Sequence, residues 1–237
     1  MQRRPTRFGG GSRWIGARPT PGAVALLVVE VGLFLLYALV GSPAFVGQHL
    51  AMEPRLALGR EPWQLVTSGF VHLGFSAILF DAITLWIFGT AVEERIGRRR
   101  MWTVFGVAQL AGTVASALVG RALEPSMIVA GCAPGAIGLV AAFGECYREA
   151  PLSLFGAANM RGRTMALLMI GFSAVFLLWR LEWVGLAGTL VGALAGWAAA
   201  SDIGGRVQGY RDRARLWRLR RRYKVIPGGR DQKRYLN

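Results

Sequence analysis

Two histidines, two cysteines, a few hydroxyls and two carboxylates set within apolar stretches are this chain's means for nucleophilic or acid–base chemistry. The segment Gly131-Cys132-Ala133-Pro134-Gly135-Ala136-Ile137-Gly138 has the layout of a helix start that presents a nucleophile. Its presenting position is Pro134, which has nothing to attack with. Peptide hydrolysis through an acyl intermediate needs a hydroxyl or thiol activated by a base within hydrogen-bond reach. Cys132 could replace it as nucleophile with His72 as base, but a cysteine in an apolar helix is ordinarily a small packing residue. Ser68 and Ser76 are given no catalytic role. The histidines and cysteines are far apart in the chain and show no ligand spacing, so neither a metal site nor a cofactor is expected. Cys132 and Cys146 are 14 positions apart on one expected helix, about 21 Å, too far to pair.

The elements that would carry these residues are membrane spans. Of the 237 residues 53% are hydrophobic, and the mean hydropathy is +0.39. Apolar stretches of near-spanning length run over 22–46, 65–90, 101–120, 127–147, 164–181 and 183–201. A helix needs about 20 mainly apolar residues to cross a bilayer, whereas barrel strands would alternate over about ten. The expected fold is an all-α membrane protein with six transmembrane helices in one bundle. It is flanked by a basic disordered leader (1–21) and a basic tail (205–237), with the membrane domain over 22–204. Gly47 to Trp63 suits a segment lying at the interface, and the later short connections predict antiparallel neighbours.

The net charge of +15 would suit nucleic acid, but its distribution argues otherwise. With both termini cytoplasmic, 24 of the 28 Lys and Arg fall on the inner side; only Arg55, Arg60, Arg121 and Arg180 fall outside. That is the positive-inside pattern, so the basicity is an orientation signal and nucleic acid is not the expected partner. The Arg-rich, acid-free start could also pass for an organelle transit peptide; the preferred reading is the cytoplasmic flank of a protein of the bacterial inner membrane. Arg206 to Lys224 mixes Arg with Tyr, Trp and Leu and reads as a basic helix on anionic lipid head groups, each cation contributing about 1 kcal/mol. The alternative is a solvated tail.

Four places together resemble the rhomboid family of intramembrane serine proteases. The first is Pro62-Trp63-Gln64-Leu65-Val66-Thr67-Ser68-Gly69-Phe70-Val71-His72, similar to that family's entry to its second span. There the histidine opens a His-x(4)-His-x(3)-Asn series tied to oxyanion binding; here the series reads His72, Ala77, Asp81. The second is the acidic-then-glycine turn from Phe88 and Gly89 through Glu93, Glu94 and Gly97 to Arg98-Arg99-Arg100. The third is the 131–138 segment, with Cys132-Ala133-Pro134-Gly135 over Gly-x-Ser-Gly. The fourth is Ala187 to Gly196, where fitting Gly192 and Gly196 puts Thr189 at the catalytic histidine's place. Glycines spaced as Gly188, Gly192 and Gly196 also serve close helix packing.

The resemblance implies a protease scaffold without its chemistry. Pro134 has no nucleophile, and the Thr189 hydroxyl cannot act as a base near neutral pH. An ionised Asp81 would repel an oxyanion where donors are needed. A mid-span carboxylate costs about 2.5–3.5 kcal/mol on insertion scales, so Asp81 should be protonated or paired inside the bundle; Glu30 raises the same question. The expected protein is therefore a rhomboid-type pseudoprotease with vestigial positions Pro134, Thr189, His72, Ala77 and Asp81. Inactive relatives imply partners that are transmembrane helices of other membrane proteins, in an adaptor, chaperone or assembly role. The alternatives are an active intramembrane peptidase with a non-standard nucleophile, and a subunit of a larger membrane complex.

Overall fold

The computed structural model describes residues 19–39, 43–154 and 158–201, within a unit that ends at Ser201. The leader before residue 19 and the tail, including Arg206–Lys224, lie outside the described residues. Helix α1 covers Pro21–Leu39, and the short helices α2 (Pro43–His49), α3 (Pro54–Ala57) and α4 (Gln64–Thr67) follow. Helix α5 (Phe75–Thr84) passes through a π turn (Leu85–Gly89) into α6 (Thr90–Ile96), making one continuous span. Then come α7 (Arg98–Leu123), α8 (Ala133–Cys146), α9 (Gly162–Trp179) and α10 (Trp183–Ala200). Five of these spans are long and apolar enough to cross a membrane; α8, with 14 residues, is shorter. An antiparallel ribbon of β1 (Pro151–Leu154) and β2 (Ala158–Arg161) joins α8 to α9, a small addition to the expected all-helical chain.

Every apolar stretch carries a helix, but three have different ends. The first helix stops at Leu39, and Pro43 opens a separate one. In the stretch 65–90 the span begins only at Phe75: α4 and a 3-10 turn (Ser68–Phe70) come first, and Val71 and Gly74 are extended. In 127–147 helix α8 begins only at Ala133. The preceding strand-like segment is bound elsewhere: Met52 and Val129 exchange two N–H···O bonds of 2.8 Å, and Gly131 N–H donates to the Ser68 carbonyl at 2.9 Å. Gly131 turns the chain into α8 with φ +117°, a left-handed conformation that a side chain would strain. These pairings satisfy non-helical backbone inside the protein, as a lipid environment requires.

The 47–63 connection is fastened to the bundle. Gln64 is buried; its amide accepts from Glu53 N–H at 2.9 Å and donates to the Gln48 carbonyl and to Glu61. Met52 and Ala57 pack against Ala117 of α7. Between α6 and α7 the turn is made by Gly97 at φ +84°, and between α9 and α10 by Leu181 at φ +58°, beside an Arg180–Glu182 ion pair of 2.6 Å. Both short connections join helices that pack against each other.

Helices α7, α8 and α10 make the centre. Every residue of α8 from Gly135 to Gly144 is buried, as befits a helix apolar all round. Phe143 stands edge-on to Phe88 at 5.1 Å and packs on Tyr147, whose hydroxyl donates to the Ala91 carbonyl at 3.1 Å. The acidic turn also has a job in the fold. Glu93 accepts the Gly22 and Ala23 N–H groups at 3.0 and 2.8 Å, as well as the Thr20 hydroxyl. It thereby serves orphan donors in the first turn of α1. Hydrogen bonds to charged groups contribute about 1.5–3 kcal/mol each. Glu93→Ala is expected to lower stability in detergent by about 2–3 kcal/mol, read as a fall in Tm; an unchanged Tm would mean that water serves these amides equally well.

Candidate functional site

The start of α8 is built by α7 rather than by a capping side chain of its own, since Cys132 at the N-cap makes no cap bond. Gln109 of α7 accepts the Gly135 N–H at 2.9 Å with its amide oxygen. Its NH₂ group donates to the Gly131 carbonyl at 3.2 Å and to the Thr113 hydroxyl at 3.1 Å. One amide thus fixes the whole 131–135 turn. Sequence reasoning gave Gln109 no role, because its partners lie 22 and 26 residues away.

From this turn Cys132 and Pro134 reach different neighbours. Pro134 packs against Gly112 of α7, and its backbone faces Gly192 of α10 so closely that a Cβ added at Gly192 would lie 2.6 Å from the Pro134 carbonyl oxygen. Gly112 and Gly188 are also in mutual contact, and Thr189 is buried on that same turn of α10. Positions 134 and 189 therefore belong to facing helices at one crossing. Pro134 brings no side-chain nucleophile to it, and Thr189 brings a hydroxyl.

Cys132 instead meets α1, the extended segment and α5. Its thiol is fully buried and donates to Asp81 Oδ2 at 3.4 Å, with His72 Nε2 at 3.8 Å. His72 Nε2 lies 3.2 Å from the same Asp81 oxygen, while Nδ1 lies 3.8 Å from Glu30 Oε2. Glu30 is completely buried, and neither of its oxygens has a hydrogen-bond partner; His72 Nδ1 is likewise unpartnered. Asp81 is thus paired inside one bundle, as expected of a mid-span carboxylate. Ala77 is exposed on α5.

Of the five vestigial positions, the structure gathers His72 with Asp81 and Pro134 with Thr189's turn, as two groups on either side of the α8 start. Sequence reasoning paired Cys132 with His72 as an alternative nucleophile and base, but left Glu30 outside the group. Although Cys132 is 60 residues from His72, one donor atom from each of Glu30, His72 and Cys132 lies within 4.8 Å of the others. The premise that the histidines and cysteines are too far apart to share a ligand set therefore fails for His72 and Cys132. Ser68, assigned to the second span, sits in the turn before it, with its hydroxyl buried and unpartnered.

Chemically, this group has a nucleophile next to an imidazole. Two carboxylates flank the imidazole, one near each ring nitrogen, and the thiol proton points at a carboxylate rather than at a free base.

The family model described as "Rhomboid domain" matches residues 59–203. The chain is 35% identical over 66 residues to the rhomboid protease GluP of Bacillus subtilis, a match covering 28% of this chain and 13% of that protein. It is 29% identical over 91 residues to the rhomboid protease GlpG of Klebsiella pneumoniae, covering 38% of this chain and 32% of that protein. The chain thus spans a third or less of the length of these two relatives.

Proposed function

Since the chain belongs to the rhomboid family of multi-pass membrane proteins, we propose that it is a pseudoprotease of that family. In this reading it keeps the bundle, has lost peptide hydrolysis and binds transmembrane helices of partner proteins as an adaptor, chaperone or assembly factor. The observation that carries it is Pro134 at the presenting position, with its backbone against Gly192 of the facing helix and Thr189 on the same crossing. Losing either member of a Ser–His pair typically costs about 10⁶ in turnover, and losing both is hardly worse.

In the same reading α8 also spans, as the fourth of six, both termini lie in the cytoplasm and the membrane is the bacterial inner membrane. The 24-to-4 division of basic residues supports that orientation. The leader 1–21 and the tail 205–237 would flank the membrane, with Arg206–Lys224 on anionic head groups. Partner binding is tested with a photo-crosslinking residue placed at Phe80, which is exposed on α5. Crosslinks mapped by mass spectrometry to transmembrane segments of other proteins are expected; crosslinks to lipid alone would remove the adaptor role. A single stoichiometric partner retained in mild detergent would instead favour the subunit of a larger complex.

A second reading has its own observation. Cys132 Sγ at 3.8 Å from His72 Nε2 supports an intramembrane peptidase with a cysteine nucleophile. The cleavage assay argued in the Discussion separates the two.

A further inference from the structure

We propose that His72, Asp81 and Cys132 bind one divalent transition-metal ion of zinc-like softness, with Glu30 holding the imidazole from its other nitrogen. The proposal stands apart from the pseudoprotease reading and holds or fails independently of it.

Three donor atoms converge from three separate parts of the chain: the extended segment before α5, α5 itself and the start of α8. Their separations are 3.2 Å (Nε2 to Oδ2), 3.4 Å (Sγ to Oδ2) and 3.8 Å (Sγ to Nε2). Around tetrahedral zinc, with bonds of about 2.0–2.1 Å to nitrogen, 2.0–2.2 Å to oxygen and 2.3 Å to sulfur, donors stand roughly 3.4–3.6 Å apart. The triangle therefore has the dimensions of one face of that tetrahedron without rearrangement of the backbone.

Charge and burial point the same way. Glu30 and His72 have fully buried side chains, and Cys132 is buried as well. Both Glu30 oxygens and His72 Nδ1 lack a hydrogen-bond partner, the two side chains meeting only at 3.8 Å, although buried polar groups are normally satisfied. Two carboxylates share a single imidazole, and even the doubly protonated ring, at +1, leaves one of their two negative charges uncompensated. A divalent cation on the Nε2 side neutralises Asp81 and the thiolate together. It also leaves the Nδ1 proton directed at Glu30, the carboxylate–histidine–metal arrangement that fixes tautomer and ring orientation. The Cys132 thiol proton is released on binding, since the ligand is the thiolate. The Asp81 side chain is 15% exposed, so the group is not wholly sealed. One thiolate, one imidazole and one carboxylate suit zinc or cobalt better than magnesium or calcium, which take oxygen donors.

The test uses the tag-free full chain in detergent, stripped with a chelator and titrated with Co(II). One equivalent is expected to produce a thiolate-to-cobalt charge-transfer band, which Zn(II) then displaces. Cys132→Ser should remove the band, and Asp81→Asn should weaken binding by about 100-fold or more. Glu30→Gln should keep the band and weaken binding by about 10- to 100-fold, as loss of a supporting partner does. Cys146 is the one other thiol of the chain, so Cys146→Ser should leave band and affinity unchanged. No band at one equivalent in the unaltered protein overturns the proposal. So does a band lost in Cys146→Ser, a result that decides the matter even if Cys132→Ser does not fold.

Discussion

Gly192→Leu is expected to prevent the bundle from accumulating as a monodisperse protein, and Gly192→Ala to destabilise it by about 1–3 kcal/mol, the usual range for overpacking. A Cβ at this position would stand 2.6 Å from the Pro134 oxygen, 3.0 Å from its Cα and 3.1 Å from its carbonyl carbon. All three are backbone atoms at the start of a buried helix, so no side chain can swing away to make room. One turn on, Gly196 packs against the Gly138 backbone, and Gly188 sits against Gly112 and Ser116. Lipid tails give no hydrophobic incentive for two apolar helices to meet, so their association depends on this kind of close approach. Gly171 on α9 supplies the control, since nothing lies within 4 Å of a Cβ added there. Gly171→Ala should be neutral, or stabilising by up to about 1 kcal/mol through helix propensity. Thermal unfolding in one detergent compares the two variants; equal Tm values would mean that the α8–α10 crossing is looser than its geometry.

The helical elements were legible because each is a long apolar run, and the family because four separated motifs occur in order. What could not be read locally is where the chain leaves helical geometry. Met127 to Gly131 is as apolar as the span it precedes, yet its backbone groups are satisfied across the fold by the Met52–Val129 and Ser68–Gly131 pairings. Hydropathy counts side chains and is blind to those bonds. The consequence is a short α8, about 21 Å of helix against a hydrocarbon core of about 30 Å, so the 131–135 turn falls within the bundle. Similarly, Asp81 was legible as a carboxylate needing a partner, while its partners came from α8 and the extended segment. Gln109 carries no local sign of its role, because the turn it holds lies 22 to 26 residues further along the chain.

Purified protein is expected to release no product from a helix-destabilised transmembrane substrate, at any enzyme level where an active rhomboid protease run alongside gives complete cleavage. At the 134–189 crossing Pro134 offers no attacking atom, and the Thr189 hydroxyl cannot serve as the base that an attacking group needs. At Cys132 it rests on the surroundings. A thiol at a helix start beside an imidazole would ordinarily be a good candidate nucleophile. Here, however, the Cys132 thiol donates to Asp81, and Glu30 stands behind His72 at 3.8 Å from Nδ1. Both the attacking anion and the oxyanion that follows would form next to carboxylates, where acyl transfer needs hydrogen-bond donors. The substrate must also reach a sulfur that has no exposed surface. If product does appear, Cys132→Ala and His72→Ala identify its source. Turnover abolished by either variant but untouched by Cys146→Ala would replace the pseudoprotease reading with a cysteine peptidase. Because the metal ligands proposed above include the same sulfur, added Zn(II) should then inhibit that turnover.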